Sequence, residues 1–202
     1  QASTLESTEQ QVLFVDGDRK NPLLLRIFEQ QDMKRVLIFT RTKHRADRVA
    51  AMLSKNGVKA GAIHGDKSQG QRTRAMHDFK SGRLQALVAT DIAARGLDID
   101  DISHVINYDM PAIPESYVHR IGRTGRAGAS GVAFSFCSAE ERGFLRGIER
   151  LTRTRIDVME HRYHSEAAKN ASGAAARPAA RAQSRGNGRS FNRPAAKPWA
   201  RH

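Results

Sequence analysis

Short apolar runs rich in Val and Ile alternate along this chain with longer stretches whose apolar residues recur every three or four positions. The runs Gln11 to Val15, Arg35 to Thr40, Lys59 to His64, Leu84 to Thr90, His104 to Tyr108 and Gly131 to Cys137 predict strands. The stretches Asn21 to Gln30, Lys43 to Asn56, Ser68 to Lys80, Ile113 to Gly122 and Ser138 to Arg153 predict crossover helices, each with one apolar face. Strands that alternate with helices predict an α/β fold with a largely parallel central sheet flanked by helices.

Punctuation agrees with these boundaries. Ser68 and Ser138 suit helix N-caps, the second with Glu141 three positions on as a capping box, and Gly57 and Gly82 suit the residue after a helix. Past Glu160 the periodicity stops. From Ala171 onward Ala, Arg, Gly, Pro, Ser and Asn dominate, with Phe191 and Trp199 the large apolar groups, and such a stretch is expected to stay disordered. The polar opening Gln1 to Gln10 has no initiator Met and reads as a linker remnant cut from something longer. The expected layout is therefore a linker over 1–10, one domain over 11–160 and a basic tail over 161–202. No internal repeat is visible, which removes solenoids.

Charge adds a partner to this picture. The net charge of +13 is uneven: residues 1–160 carry about +5 and the last 42 residues about +8. An anionic partner follows, with the tail as one contact. No apolar stretch approaches the ~20 residues of a membrane span and no signal peptide opens the chain, so a cytoplasmic protein without membrane contact is expected. The single Cys137 lies in an apolar run, which excludes an internal disulfide framework and fits a core thiol in a reducing compartment. His161 and His164 stand three apart without a second ligand pair nearby, so no metal site is expected.

Four segments carry chemistry. His119-Arg120-Ile121-Gly122-Arg123-Thr124-Gly125-Arg126 gathers three arginines at a predicted helix end, and guanidinium forks suit the charge that develops in phosphoryl transfer. Ala89-Thr90-Asp91-Ile92-Ala93-Ala94-Arg95-Gly96-Leu97-Asp98-Ile99 begins at a strand's carboxyl end, the edge where open α/β sheets bind ligands. There Thr90 can donate to a phosphate, Gly96 permits a turn of unrestricted φ, and Asp98 can accept from a ribose hydroxyl. Ala62 to Arg72 again turns from strand into helix, where backbone N–H groups favour an anion. Its Gly65-Asp66-Lys67-Ser68 lacks a Gly directly before the Lys and is not a P-loop. Val36 to Lys43 delivers polar and basic groups to the same edge.

In these four places, through TRTKH, AIHGDKSQ, ATDIAARGLDI and YVHRIGRTGR, the chain resembles the C-terminal RecA-like half of DEAD-box ATP-dependent RNA helicases, with wording nearest the bacterial RhlE-like branch. The resemblance runs from about Val12 to Leu151. It implies that Arg123 and Arg126 reach the γ-phosphate of ATP as arginine fingers, and that Gly96 and Asp98 belong to the ATP site. It implies RNA contacts from Thr42, from the backbone around His64 and Gly65, and from Arg72 and Thr90. No GxxxxGKT loop, DEAD sequence or SAT motif occurs here. ATP with Mg²⁺ would thus be held by an N-terminal RecA-like partner domain, and the isolated chain is expected to be inactive. The tail arginines Arg177, Arg181, Arg185, Arg189 and Arg193 read as an RNA-tethering arm. The alternative is a stand-alone RNA-binding or annealing module working through that tail.

Overall fold

A computed structural model of the chain describes residues 7–99, 101–125 and 130–178. Seven strands, β1 (Thr8–Phe14), β2 (Val36–Phe39), β3 (Ala60–Ile63), β4 (Ala86–Ala89), β5 (His104–Asn107), β6 (Gly131–Cys137) and β7 (Asp157–Val158), form one sheet in the order β3-β4-β2-β5-β6-β1-β7. All six pairings are parallel. The parallel sheet with helices on both faces is thus as the hydrophobic pattern predicts.

Strand alternation divides the core in two. Leu37 and Phe39 of β2, Leu87 and Ala89 of β4 and Val12 and Phe14 of β1 face one layer. Val36, Ile38, Ala86, Val88 and Leu13 face the other. The second layer is covered by α1 (Lys20–Gln30) through Leu23, Leu24 and Ile27, and by α2 (Lys43–Lys55) through Ala46, Val49, Ala50 and Leu53. The first layer is covered by α3 (Gln69–Lys80), the short α4 (Asp91–Ala94), α5 (Pro114–Ile121) and α6 (Arg142–Thr152). Phe79, Ala93, Tyr117, Ile121, Leu145 and Ile148 are their buried contributions. Residues at adjacent strand positions can be apolar on both faces only because helices cover both.

The predicted caps are present. Ser68 and Gln71 form a reciprocal capping box at the start of α3, and Ser138 and Glu141 form another at the turn before α6. Gly57 and Gly82 follow α2 and α3 with φ of +86° and +76°, the left-handed region open to glycine.

Two boundaries are corrected. The linker expected over 1–10 gives way to strand at Thr8, because ladder pairing of Thr8 to Gln10 with Gly131 to Ala133 uses the backbone and is indifferent to polar side chains. The domain expected to end at Glu160 continues to at least Pro178. Helix α7 (Glu166–Asn170) and a 3₁₀ turn at Gly173–Ala176 pack back on the body, burying Ala168, Ala171 and Ala176. Arg142 Nε donates to Lys169 O at 3.0 Å and Arg146 Nη2 to Ala171 O at 2.6 Å. Alanine methyls and backbone carbonyls do this docking, so a search for large apolar groups misses it.

Candidate functional site at the carboxyl edge of the sheet

Because every strand is parallel, the residues that follow β2, β3, β4, β5 and β6 all emerge at one edge. The organising side chain there is Arg120, 3% exposed. Its Nε and Nη2 donate to the two oxygens of Asp91 at 2.6 and 2.7 Å, and Nη1 donates to Asn107 Oδ1 at 3.1 Å and to Asp109 O at 2.7 Å. The guanidinium also lies 4.9 Å from the Phe39 ring centroid. This one fork ties α5 to the ends of β2, β4 and β5. It is therefore internally committed and does not join Arg123 as an outward cation, contrary to the expectation of gathered forks.

Arg123 stands one helical turn on, in the turn after α5. Its Nη1 donates to Leu97 O at 3.1 Å, which fixes the side chain beside the segment carrying Gly96 and Asp98. Gly96 has φ +76° and open space where a Cβ would sit, so conformation rather than crowding demands glycine there. Asp98 is exposed and its carboxylate makes no hydrogen bond or ion pair among the described residues. A cleft of about 220 Å³ opens between α4 and α5, lined by Phe39, Asp91, Arg95, His119, Arg120 and Arg123. Arg123, Gly96 and Asp98 are thus brought together, whereas Arg126 lies outside the described residues.

The expected RNA contacts occupy neighbouring loops after β2, β3 and β4. Thr42 caps α2: its Oγ accepts from Arg45 N at 3.2 Å, leaving the hydroxyl hydrogen to donate outward. Thr90 precedes α4 without capping it. Arg72 is half-buried in the first turn of α3 and its guanidinium makes no ion pair among the described residues. Gly65 is exposed with nothing within 4 Å of a built Cβ. His64 is different: it is 3% exposed, and its Nε2 lies 2.9 Å from Asp47 Oδ2. The expectation assigned RNA contact to the backbone around His64 and Gly65; the His64 ring itself faces Asp47. Arg177 is exposed, and the adjacent Pro178, not Arg177, lines a second cleft with Arg41 and Arg45. Arg181, Arg185, Arg189 and Arg193 lie outside the described residues.

That second cleft, about 230 Å³, rests on an ion network that sequence reasoning missed. Buried Asp109 takes Arg45 Nη1 at 2.6 Å, Arg41 N at 2.8 Å and Lys20 Nζ at 3.5 Å. Burial alone would raise the Asp109 carboxyl; Lys20, the Arg41 N–H and Arg45 more than offset it and hold it below the usual range. Buried Glu141 takes Lys20 Nζ at 2.7 Å, Arg41 Nη2 at 3.3 Å and Met110 N at 3.0 Å besides serving its capping box. The Ser138-to-Glu141 spacing was a visible signal for the cap, while its second task depends on tertiary neighbours. Cys137 is fully buried, and burial pushes its thiol up to about 12.

Known proteins are similar to this chain over most of its described length. A family described as the helicase conserved C-terminal domain matches residues 19–128, more than half of the chain. The DEAD-box ATP-dependent RNA helicase CshA of Bacillus subtilis (strain 168) is 45% identical over 157 residues, covering 78% of this chain and 32% of that protein. The CshA of Geobacillus kaustophilus is 46% identical, with 34% of its length covered. Among solved structures, the E. coli DEAD-box protein SrmB bound to regulator of ribonuclease activity A superposes with a TM-score of 0.73 at 36% identity, covering 76% of this chain and 91% of that one. A DEAD box protein from the hyperthermophile Methanococcus jannaschii gives 0.72 at 41% identity, covering 77% of this chain and 42% of that one. The chain spans about a third of the length of the curated relatives it matches. A parallel sheet whose carboxyl edge carries these four segments, together with these matches, places the chain in the helicase C-terminal domain family, among the DEAD-box proteins.

Proposed function

We propose that this chain is the second RecA-like half of an ATP-dependent RNA helicase, of the RhlE-like branch by its motif wording, and that it works by closing on an N-terminal RecA-like half. The observation that carries this reading is the setting of Arg123. A guanidinium held by Leu97 O, beside Gly96 and exposed Asp98, faces a cleft at the edge where parallel sheets receive ligands. The other half would hold ATP and Mg²⁺, since the GxxxxGKT loop and acidic motif are not in this sequence. Closure would bring Arg123 and Arg126 to the phosphates and Asp98 to the ribose, while Thr42, Arg72, Thr90 and the backbone at His64 and Gly65 hold one RNA strand. Such contacts bind phosphate and sugar without reading bases, so the enzyme would act on many sequences. A cytoplasmic setting accords with the buried lone thiol.

The test is ATP turnover by a polypeptide joining this chain to its N-terminal RecA-like half, with and without Arg123→Ala or Arg126→Ala. Loss of an arginine finger costs roughly 10³ to 10⁵ in rate. The expected result is a fall of that order with RNA affinity largely kept. Undiminished turnover in both variants would overturn the reading and favour a binding module acting through the tail.

A further inference from the structure

The loop between β3 and α3 is fastened to α2 by a crossed pair of contacts centred on one carboxylate. Asp47, on the first turns of α2, accepts from His64 at 2.9 Å through Oδ2 and from Lys67 Nζ at 2.9 Å through Oδ1. In the opposite sense, Lys43 Nζ reaches from the start of α2 to Asp66 Oδ2 at 2.6 Å. Residues 64, 66 and 67 are thereby pinned, and Gly65 between them presents its backbone to solvent with no neighbour in the way.

The ring of His64 fixes its own tautomer. Asp66 N donates to His64 Nδ1 at 3.3 Å, so Nδ1 is unprotonated and Nε2 carries the proton donated to Asp47. Burial alone would raise Asp47, yet the bonds from His64 and Lys67 hold it below the usual carboxylate range, so it is ionised under ordinary conditions. An ionised carboxylate beside a loop that meets a polyphosphate should weaken binding by repulsion. Its presence there needs a compensating task.

We infer that Asp47 is a positioning residue for the nucleic-acid site: by clasping His64 and Lys67 it presets the 64–67 loop, so that the Gly65 backbone and the Thr42 end of α2 meet one phosphate backbone without reordering. The inference rests on the RNA reading of this edge. It goes further by assigning a function to a residue outside the four motif segments. Preorganisation saves the ordering cost of a loop at the moment of binding.

The sign of one substitution decides it. If Asp47 were only a negative charge near phosphate, Asp47→Asn would tighten RNA binding, by up to about fivefold for a unit charge a few ångströms away in water. If Asp47 positions the loop, Asp47→Asn weakens binding by about threefold or more, because a neutral amide has one acceptor oxygen where the carboxylate serves His64 and Lys67 with two, and the loop must order on binding. The measurement is titration of the full chain with a ten-residue oligouridylate at 0.15 M salt, following the ¹⁵N–¹H amide of Gly65, which reports this loop and not the tail.

In the free variant the 64–67 backbone amides should broaden and shift, whereas a bare loss of charge would leave the loop ordered. Lys67→Met combined with Asp47→Asn should add little further loss, whereas independent charges would act additively; if Asp47→Asn unfolds the chain, Asp47→Glu keeps the charge while displacing the clasp, and binding equal to the parent's then overturns the positioning role. Equal or tighter binding by Asp47→Asn, with the parent Gly65 amide responding, overturns the positioning role while leaving the RNA reading intact. A Gly65 amide that ignores the oligonucleotide in the parent chain overturns both.

Discussion

Among single residues, Arg120 shows how a motif's most conspicuous side chain can be spent inside the protein. Five donors in a fixed plane allow one guanidinium to serve Asp91 twice, Asn107 once and a backbone carbonyl once, while its face lies over Phe39. Removing one partner of a buried pair costs about 3–5 kcal/mol, and the lower end applies here because 44% of the Asp91 side chain stays in water. Arg120→Ala is thus expected to lower unfolding free energy by about 3 kcal/mol. Arg120→Lys should recover little of that, since an ammonium cannot bridge both Asp91 oxygens and Asn107 in one plane. Urea unfolding of the three chains checks this; a lysine variant as stable as the parent would show that charge alone suffices. The contrast with Arg123, three residues on and bonded to a carbonyl beside exposed Asp98, is not written in the spacing HRxxR. It depends on which carboxylates the fold brings to each position.

At the scale of elements, strands and long helices were legible because their apolar periodicity is dense, and caps such as Ser68 with Gln71 are local chemistry. Three features were not legible. Helix α4 is a single turn, too short for a period; β7 has two exposed residues; and the strap from Ser165 to Ala176 is held by alanines and by arginines of α6. The candidate site divides likewise: its motif positions were visible, whereas the Asp47, Asp109 and Glu141 partners join residues 17 to 121 apart in sequence. The strap predicts an unusual substitution outcome at Gly143. A Cβ there would stand 2.7 Å from Ala176 O, so the final turn must give way, yet alanine gains up to about 1 kcal/mol of helix propensity. Gly143→Ala is expected to leave the thermal midpoint nearly unchanged while trypsin cleavage after Lys169 quickens severalfold. Cleavage no faster than in the parent would mean that the strap absorbs the methyl without undocking.

For the whole molecule, charge and burial together set the response to acid. His104, half-buried and stacked on Phe134 at 5.9 Å, is held below its ordinary 6.5 by burial, and His161 is lowered by burial and by the neighbouring His164. A histidine kept neutral in the fold binds fewer protons than it does unfolded. Its contribution is therefore complete above about pH 6.5 and erodes as pH falls from there toward the folded value, at up to about 1.4 kcal/mol per pH unit for each ring. Asp109 acts in a second window. Its folded value lies below the ordinary 3.8, so the stability from Lys20, Arg41 and Arg45 is intact above 3.8 and is lost as pH drops through the folded value. A net charge of +13 at neutrality deepens both losses, because each carboxylate that protonates adds to an existing positive excess. Unfolding free energy is accordingly expected to be level from pH 8 to about 6.5, to fall gently to about pH 4 and then steeply. Replacing His104 and His161 by Gln should flatten the gentle limb and leave the steep one, since a neutral amide has no proton to gain. Urea titrations across pH 2.5 to 8 read both limbs directly, and a chain that grows more stable between pH 7 and 5.5 would contradict the neutral state of these two rings in the fold.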